Sequence, residues 1–276
     1  MIPIHNLLHY IEEDAPFGDV TSEAVIPEVS CSAVIRAEQD GIIAGLDEAA
    51  ALFGYFHVTA TCRVRDGENV RAGDVVLALS GNAQKILLVE RTALNIIGRM
   101  SGIATQTRKM ADRIASVSQS CRIAGTRKTA PGSRALDKKA VLLGGGDPHR
   151  TNLSDGILIK DNHLALVPLE TAIRKARAVS AYRIVEVEVE TPEDAKRAAK
   201  AGADIILLDN MSPAQIRTTV DLLKTSRLKD RVLLEISGGV DENSLLSYAS
   251  CEVDIISMGA LTHSVKNFSV TLEIQP

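Results

Sequence analysis

Hydrophobic and polar positions alternate with two different rhythms along the chain. Over residues 32–79, short runs such as AVIRAE, IIAGL, VTATCRV and VVLALSG alternate at a period near two. Turn signals at Gln39-Asp40-Gly41, Asp66-Gly67 and Ala72-Gly73-Asp74 separate them. That rhythm predicts the short strands of a small α+β domain. From residue 86 to about 115 the period lengthens: Leu87, Leu88, Leu94, Ile97 and Ile103 recur near helical spacing, interrupted at Ser101-Gly102. This predicts a long helical passage from the first domain into a second.

The second domain repeats one grammar. Apolar runs appear at CRIAG, GILIK, RIVEVEV, DIILLDN, RVLLEIS and VDIISMG, separated by helical stretches with their own start signals. Thr191-Pro192-Glu193 and Ser212-Pro213 place a capping hydroxyl before a proline at the first helical position, and Asp241 opens the helical run ENSLLSYA. Strand starts recurring at about the length of a βα unit predict parallel strands with crossover helices. Barrels and doubly wound sheets share that grammar. No GxGxxG follows the first run, which disfavours a dinucleotide fold.

Polar or glycine residues mark where each run stops: Thr126-Arg127-Lys128, Lys160-Asp161-Asn162, Glu188, Asp209-Asn210, Ser237-Gly238-Gly239 and Gly259-Ala260. In a (β/α)-barrel, closed or open and incomplete, the C-terminal strand ends meet on one face, where active sites form. The expected architecture is such a barrel over residues 105–264. A smaller α+β sandwich would occupy residues 1–104, and a final strand in 265–276 would return to it.

Composition narrows the chemistry. Of the 276 residues, 45% are hydrophobic and only 3% aromatic, with no tryptophan. Branched aliphatics must therefore fill the interior, as barrel strands favour, and the scarcity of aromatic rings argues against a base-stacking nucleic-acid platform. The formal net charge is −4, so any anion chemistry comes from a local cluster of cations and not from a general polyanion-binding surface. Cys31, Cys62, Cys121 and Cys251 are scattered without CxxC spacing; four reduced thiols in a cytoplasmic protein are expected. The opening MIPIHNLLHYIEEDAP lacks a basic stretch before an apolar one, so no signal peptide is expected. No apolar run approaches the roughly 18 residues of a membrane span.

Three groups of strand-end residues carry the candidate chemistry. Glu186, Glu188 and Glu190 alternate with valines, which places three carboxylates on one strand face. Like charges inside a barrel require neutralisation. Either Arg127 and Lys160 satisfy them in a structural network, or Glu188 and Asp209 hold a divalent ion of the hard, oxygen-preferring kind such as Mg²⁺. The cations are Arg127, Lys128, His149, Arg150 and Lys160. Their convergence in an acidic protein points to a polyanionic small ligand. Gly144-Gly145-Gly146, just before His149, is read either as a turn or as a place of close ligand approach. Ser237-Gly238-Gly239 and Gly259 after the last two strands match the usual phosphate site of barrels. The sum is a phosphate cradle, a carboxylate pair and a basic pocket, suited to reaction at a phosphorylated substrate through a developing cation.

The motifs ERTALNIIGRMSGIAT, GTRKTAPGSR, GGGDPHRTNLSDGILIKDNH, VEVEVE, ILLDN, EISGG and SMGALTHS resemble, in order, those of the quinolinate phosphoribosyltransferases, and EEDAPFGDVTS resembles that family's opening. The resemblance implies transfer of phosphoribosyl from phosphoribosyl pyrophosphate to quinolinate with loss of CO2, using Mg²⁺. It implies that Arg91, Arg127, His149, Arg150 and Lys160 hold the quinolinate carboxylates. Lys128, Glu188, Asp209, Ser237, Gly238, Gly239, Gly259 and His263 would hold the phosphoribosyl donor and its metal. Lys128, Lys160, Glu188 and Asp209 are the implied catalytic set. The resemblance also implies a homodimer or higher even oligomer with shared sites, Arg91 arriving from the partner. Ala130 and Ser133 stand where the family carries bulkier residues, which bears on the fit around the ring. Competing readings are a nicotinate phosphoribosyltransferase, a paralogue of molybdate-transport operons, and a barrel that binds without turnover. ERT, HR and IKDNH together argue for the dicarboxylate and against the first, the ERT arginine and IKDNH argue against the second, and the Glu188–Asp209 pair against the third.

Overall fold

The computed structural model describes residues 2–275, which divide into two compact units. The first contains residues 2–108, 130–145 and 264–275; the second contains Lys109–Thr129 and Gly146–His263.

In the first unit, strands β1 (Ser30–Ala37), β3 (Thr59–Cys62) and β5 (Val75–Asn82) join β12 (Val270–Gln275) in an antiparallel sheet of order β12-β1-β5-β3. Two short strands, β2 (Gly41–Ile42) and β4 (Asn69–Val70), pair separately. Helices α1 (Ile4–Asp14), α2 (Val20–Val25) and α3 (Leu46–Tyr55) belong to the same unit.

Helix α4 runs unbroken over Ala83–Ala115. It buries Ile86, Val89, Ala93, Ile97, Met100 and Ala104 at the three- and four-residue spacing of one helix face. Ser101-Gly102 does not interrupt it. The Ser101 hydroxyl donates to the Ala44 carbonyl at 3.1 Å and accepts from the Ala44 N–H at 2.8 Å. A Cβ on Gly102 would lie 2.3 Å from the Lys266 carbonyl oxygen. The pair is small because backbone approaches there.

The expected boundary at residue 104, with 105–264 as one body, needs correction. Residues 130–145, containing helix α5 (Arg134–Leu143), belong to the first unit. Leu136, Ala140 and Val141 join its apolar core. Arg99 grips the fully buried Asp137 through two hydrogen bonds of 2.7 and 2.8 Å. Lys139 reaches Asp47, Glu48 and Asp66. Gly144-Gly145-Gly146 is resolved in favour of the turn. A Cβ on Gly144 would lie 2.5 Å from the Ala104 carbonyl oxygen, and Gly145 adopts φ of 87°.

In the second unit, strands β6 (Arg122–Ala124), β7 (Ile157–Ile159), β8 (Val185–Val189), β9 (Ile205–Asp209), β10 (Leu233–Ser237) and β11 (Ile255–Ser257) form one sheet of order β6-β11-β10-β9-β8-β7. Every pairing is parallel. The six apolar runs of the sequence are these six strands. The ladder is barrel-like but open between β6 and β7, where a single parallel bridge joins Ala124 to Asp147. Helices α6 (Asp161–Leu164), α7 (Leu169–Val179), α8 (Pro192–Ala201), α9 (Pro213–Thr225), α10 (Leu245–Ala249) and α11 (Ala260–His263) complete the unit.

The start signals act as read for α8 and α9. Thr191 accepts from the Asp194 N–H, and Ser212 forms a capping box with Gln215, each cap contributing about 1 kcal/mol. Asp241 instead closes a turn with Ser244, and its helix begins only at Leu245. The core between sheet and helices is aliphatic, with Val185, Val187, Ile206, Leu208, Leu234 and Ile256 fully buried. Along β8 those valines alternate with Glu186 and Glu188, so the sheet's other face carries polar groups.

Candidate active site

A cavity of about 560 Å³ lies at the C-terminal ends of the parallel strands. Thr126, Arg127 and Lys128 follow β6, and Lys160 follows β7; Glu188, Asp209, Ser237 and Ser257 stand at or near the ends of β8 to β11. Residues far apart in sequence meet here because parallel strands bring equivalent ends to one side. His149, Arg150, Gly238 and Gly239 complete the predicted residues on its wall.

The positive half is unsatisfied. The Nε atoms of Arg127 and Arg150 are buried and have no hydrogen-bond partner among the described residues. A buried guanidinium donor without a partner costs free energy until an acceptor arrives. Burial and the neighbouring Arg127 hold Arg150 below the usual guanidinium range, against the opposing pull of Glu186. Two guanidinia this close create a field that an anion relieves.

Among the other lining residues, the Lys160 ammonium donates to Glu188 Oε2 at 2.6 Å, which is one half of the structural network read from sequence. Asp209 is pushed above the usual carboxylate range by burial and by the charge of Glu188, while Lys160 and Asn210 pull it back. The Asn210 side chain donates to Asp209 Oδ2 at 2.7 Å. Gly238, at φ of 91°, makes room for it: a Cβ there would lie 2.2 Å from Asn210 Oδ1. Gly239, at φ of 63°, would meet nothing within 4 Å. The two glycines therefore differ, one packed on Asn210 and one open.

Gly259 and His263 are not cavity-lining, yet they adjoin Lys128. A Cβ on Gly259 would lie 3.0 Å from both the Lys128 Cδ and the His263 Cδ2. The Thr262 hydroxyl donates to the Lys128 carbonyl at 2.9 Å. Arg91 is exposed on α4 in the first unit, with Glu90 as a neighbouring charge.

The three alternating glutamates do not act as one row. Glu186 is buried, Glu188 is half-buried and Glu190 is exposed beyond the end of β8. Glu186 Oε2 lies 3.3 Å from His149 Nε2, and Glu235 Oε1 lies 3.6 Å from the same nitrogen. This trio is the group of metal-type ligands that clusters within 4.8 Å among the described residues; the expected pair Glu188 and Asp209 does not form such a cluster of three. Burial and the charge of Glu186 push the Glu235 carboxyl up to about 7, against the pull of His149 and Ser257.

Sequence reasoning assigned no role to Glu235 or Ser257, and marked Asn210 only as a polar residue where its strand ends. Glu235 had a readable signal, because it stands two residues before Ser237 on β10 and so shares its face.

Residues 19–101 match the family described as quinolinate phosphoribosyl transferase, N-terminal domain, and residues 103–273 match its C-terminal domain. A protein of Methanothermobacter thermautotrophicus named probable nicotinate-nucleotide pyrophosphorylase [carboxylating] is 46% identical over 268 residues, covering 96% of each chain. The nicotinate-nucleotide pyrophosphorylase [carboxylating] of Mycobacterium leprae is 38% identical, covering 96% of this chain and 94% of its own. The solved nicotinate-nucleotide pyrophosphorylase of Francisella tularensis superposes with a TM-score of 0.92 at 33% identity, covering 100% of this chain and 98% of its own. The ordered strand-end motifs and these matches along both units establish one conclusion: the chain belongs to the quinolinate phosphoribosyl transferase family.

Proposed function

We infer that this chain transfers the phosphoribosyl group of phosphoribosyl pyrophosphate to quinolinate, releasing pyrophosphate and CO2 and giving nicotinate mononucleotide for de novo NAD biosynthesis. The observation that carries the acceptor is the pair of buried, unpartnered guanidinium donors of Arg127 and Arg150 on one cavity wall. A planar dicarboxylate presents fixed oxygens to which such forks are matched.

In this reading Arg127, His149, Arg150 and Lys160 hold the two carboxylates of quinolinate. Lys160 gives one N–H to Glu188 and keeps two for substrate. Lys128, Glu188, Asp209, Ser237, Gly238, Gly239, Gly259 and His263 hold the phosphoribosyl donor. Open space at Gly239 and the strand-end backbone amides suit a phosphate. Lys128 lies beside His263 and offsets charge on the departing pyrophosphate. Glu188 and Asp209 face the ribosyl carbon, whose developing positive charge carboxylates stabilise. Once N1 is ribosylated, the pyridinium draws electrons from C2 and its carboxylate leaves as CO2, so the protein holds geometry.

Glu188 and Asp209 fit Mg²⁺ as hard oxygen donors, and the raised proton affinity of Asp209 beside Glu188 marks a place where a cation is favourable. When bound, Mg²⁺ supplies charge neutralisation to the pyrophosphate. Arg91 would act in the site of a second copy of the chain, in a homodimer or higher even oligomer.

The setting is cytoplasmic. The four cysteines are free, and no helix among the described residues is long and apolar enough to cross a membrane. The test is nicotinate mononucleotide formation by purified protein with Mg²⁺ and phosphoribosyl pyrophosphate, offering quinolinate or nicotinate. Product from quinolinate alone supports the reading; consumption of nicotinate overturns it.

A further inference from the structure

A second cavity, of about 450 Å³, lies at the opposite ends of the same strands. Ile157, Ile205 and Ile255, the first residues of β7, β9 and β11, line it. Three residues line both this cavity and the one at the C-terminal ends: His149, Arg150 and Glu235. The interior of the sheet is therefore crossed by side chains that can carry a proton, where an aliphatic plug would separate the two spaces.

We propose that His149 and Glu235 form a proton relay that supplies the C2 hydrogen of the product, refilled from the second cavity. The inference rests on the reaction proposed above. Loss of CO2 breaks the bond between C2 and its carboxylate carbon and leaves the electron pair on C2. That pair must take up a proton, in a site occupied by anionic substrates. A group that holds the departing carboxylate is next to the carbon it leaves. The His149 ring starts neutral, with its one proton on Nδ1 and none on Nε2; it gives the Nδ1 proton to C2 as Nε2 becomes protonated, and proton exchange then returns it to the Nδ1–H tautomer. Nε2, at 3.6 Å from Glu235 Oε1, takes up the proton of the Glu235 carboxyl, and Glu235 regains one from water in the second cavity. One proton enters from solvent for each CO2 released, and no oxidant or reductant is consumed.

Glu235 suits the part. Its side chain is 1% exposed and its Oε1 has no hydrogen-bond partner among the described residues. The groups facing it are Glu186 on β8, Ser257 on β11, and His149 and Asp147 on the segment between β6 and β7; Arg150 lines the same two cavities. Burial and Glu186 raise its proton affinity to about 7, the range in which an acid both holds and gives a proton near neutral pH. Glu235 acts through His149 and is a relay residue; His149 is the one that meets substrate.

The test uses the full chain with quinolinate, phosphoribosyl pyrophosphate and Mg²⁺. Glu235→Gln keeps shape and loses the proton. The expected result is a kcat about 10²-fold lower, with KM for quinolinate changed less than about threefold and the fall of kcat above pH 7 removed. Glu235→Ala with added formate, a small acid, should recover at least about tenfold of the lost kcat; a structural role gives no such rescue. Unchanged kcat in Glu235→Gln, a rise confined to KM, or the lack of rescue in a folded Glu235→Ala overturns the relay. Should Glu235→Ala not fold, the kcat and pH profile of Glu235→Gln decide alone. A wild-type protein that releases no CO2 from quinolinate would instead overturn the reaction itself, so the two failures are distinct.

Discussion

Lys160 at the end of β7 donates to Glu188 near the end of the adjacent β8 at 2.6 Å. The two side chains share one site yet face different substrates in the proposed reaction, the lysine the dicarboxylate and the glutamate the phosphoribosyl donor. Each is held in place by the other.

Replacing one partner leaves the other charge half-buried and unpaired. Lys160→Ala and Glu188→Ala should each lower kcat/KM by at least about 10²-fold. The double variant should lose far less than the product of the two. Steady-state kinetics on the three variants check this; full additivity would show that the pair does not act as a unit.

Gly238 is required by Asn210 and through it by Asp209. Gly238→Ala places a methyl group where Asn210 Oδ1 sits and strains a left-handed backbone, at about 1–3 kcal/mol. The expected outcome is a raised KM for phosphoribosyl pyrophosphate and a higher Mg²⁺ requirement, with quinolinate affinity little changed. Gly239→Ala also strains a left-handed backbone but meets no atom within 4 Å, so its effect should fall on donor binding without displacing Asn210 and Asp209. Titration of Mg²⁺ against initial rate separates the two.

Arg91 tests the shared site. Mixing inactive Arg91→Ala with inactive Lys160→Ala under conditions of subunit exchange should restore activity at about one site in four. No recovery, with exchange demonstrated by mass spectrometry, would place Arg91 outside the partner's site.

The first unit is tied to residues 130–145 by the Arg99–Asp137 pair. Asp137 is fully buried, so Asp137→Ala removes the carboxylate that Arg99 grips through two hydrogen bonds and should destabilise the chain by about 3–5 kcal/mol. Denaturant unfolding of the two proteins measures it. A loss below about 1 kcal/mol would mean that solvent and the other contacts of Arg99, which is about a quarter exposed, make up for the carboxylate.

The parallel strands were legible because each is a short apolar run ended by a polar or glycine residue, and periodicity together with turn chemistry fixes such elements locally. The same rule brought Arg127, Lys160, Glu188, Asp209 and Ser237 to one cavity. Residues 130–145 were not legible as part of the first unit. Their attachment depends on Asp137 meeting Arg99 and Lys139 meeting Glu48, contacts between segments far apart in sequence. Ser101-Gly102 looked like an interruption, since small polar residues weaken helices in isolation; tertiary contacts with Ala44 and Lys266 reverse that preference. Glu235 escaped notice inside an apolar strand because its partners, His149 and Glu186, come from other strands and loops. The acceptor followed from no single residue and needed the ordered motifs.

Carboxyl-labelled quinolinate reports phosphoribosyl transfer and CO2 loss in one reaction. With Mg²⁺ and phosphoribosyl pyrophosphate, the purified protein should release one labelled CO2 for each pyrophosphate formed, and chelation of Mg²⁺ should stop both. Pyrophosphate without labelled CO2, or turnover with nicotinate and none with quinolinate, would contradict that reaction.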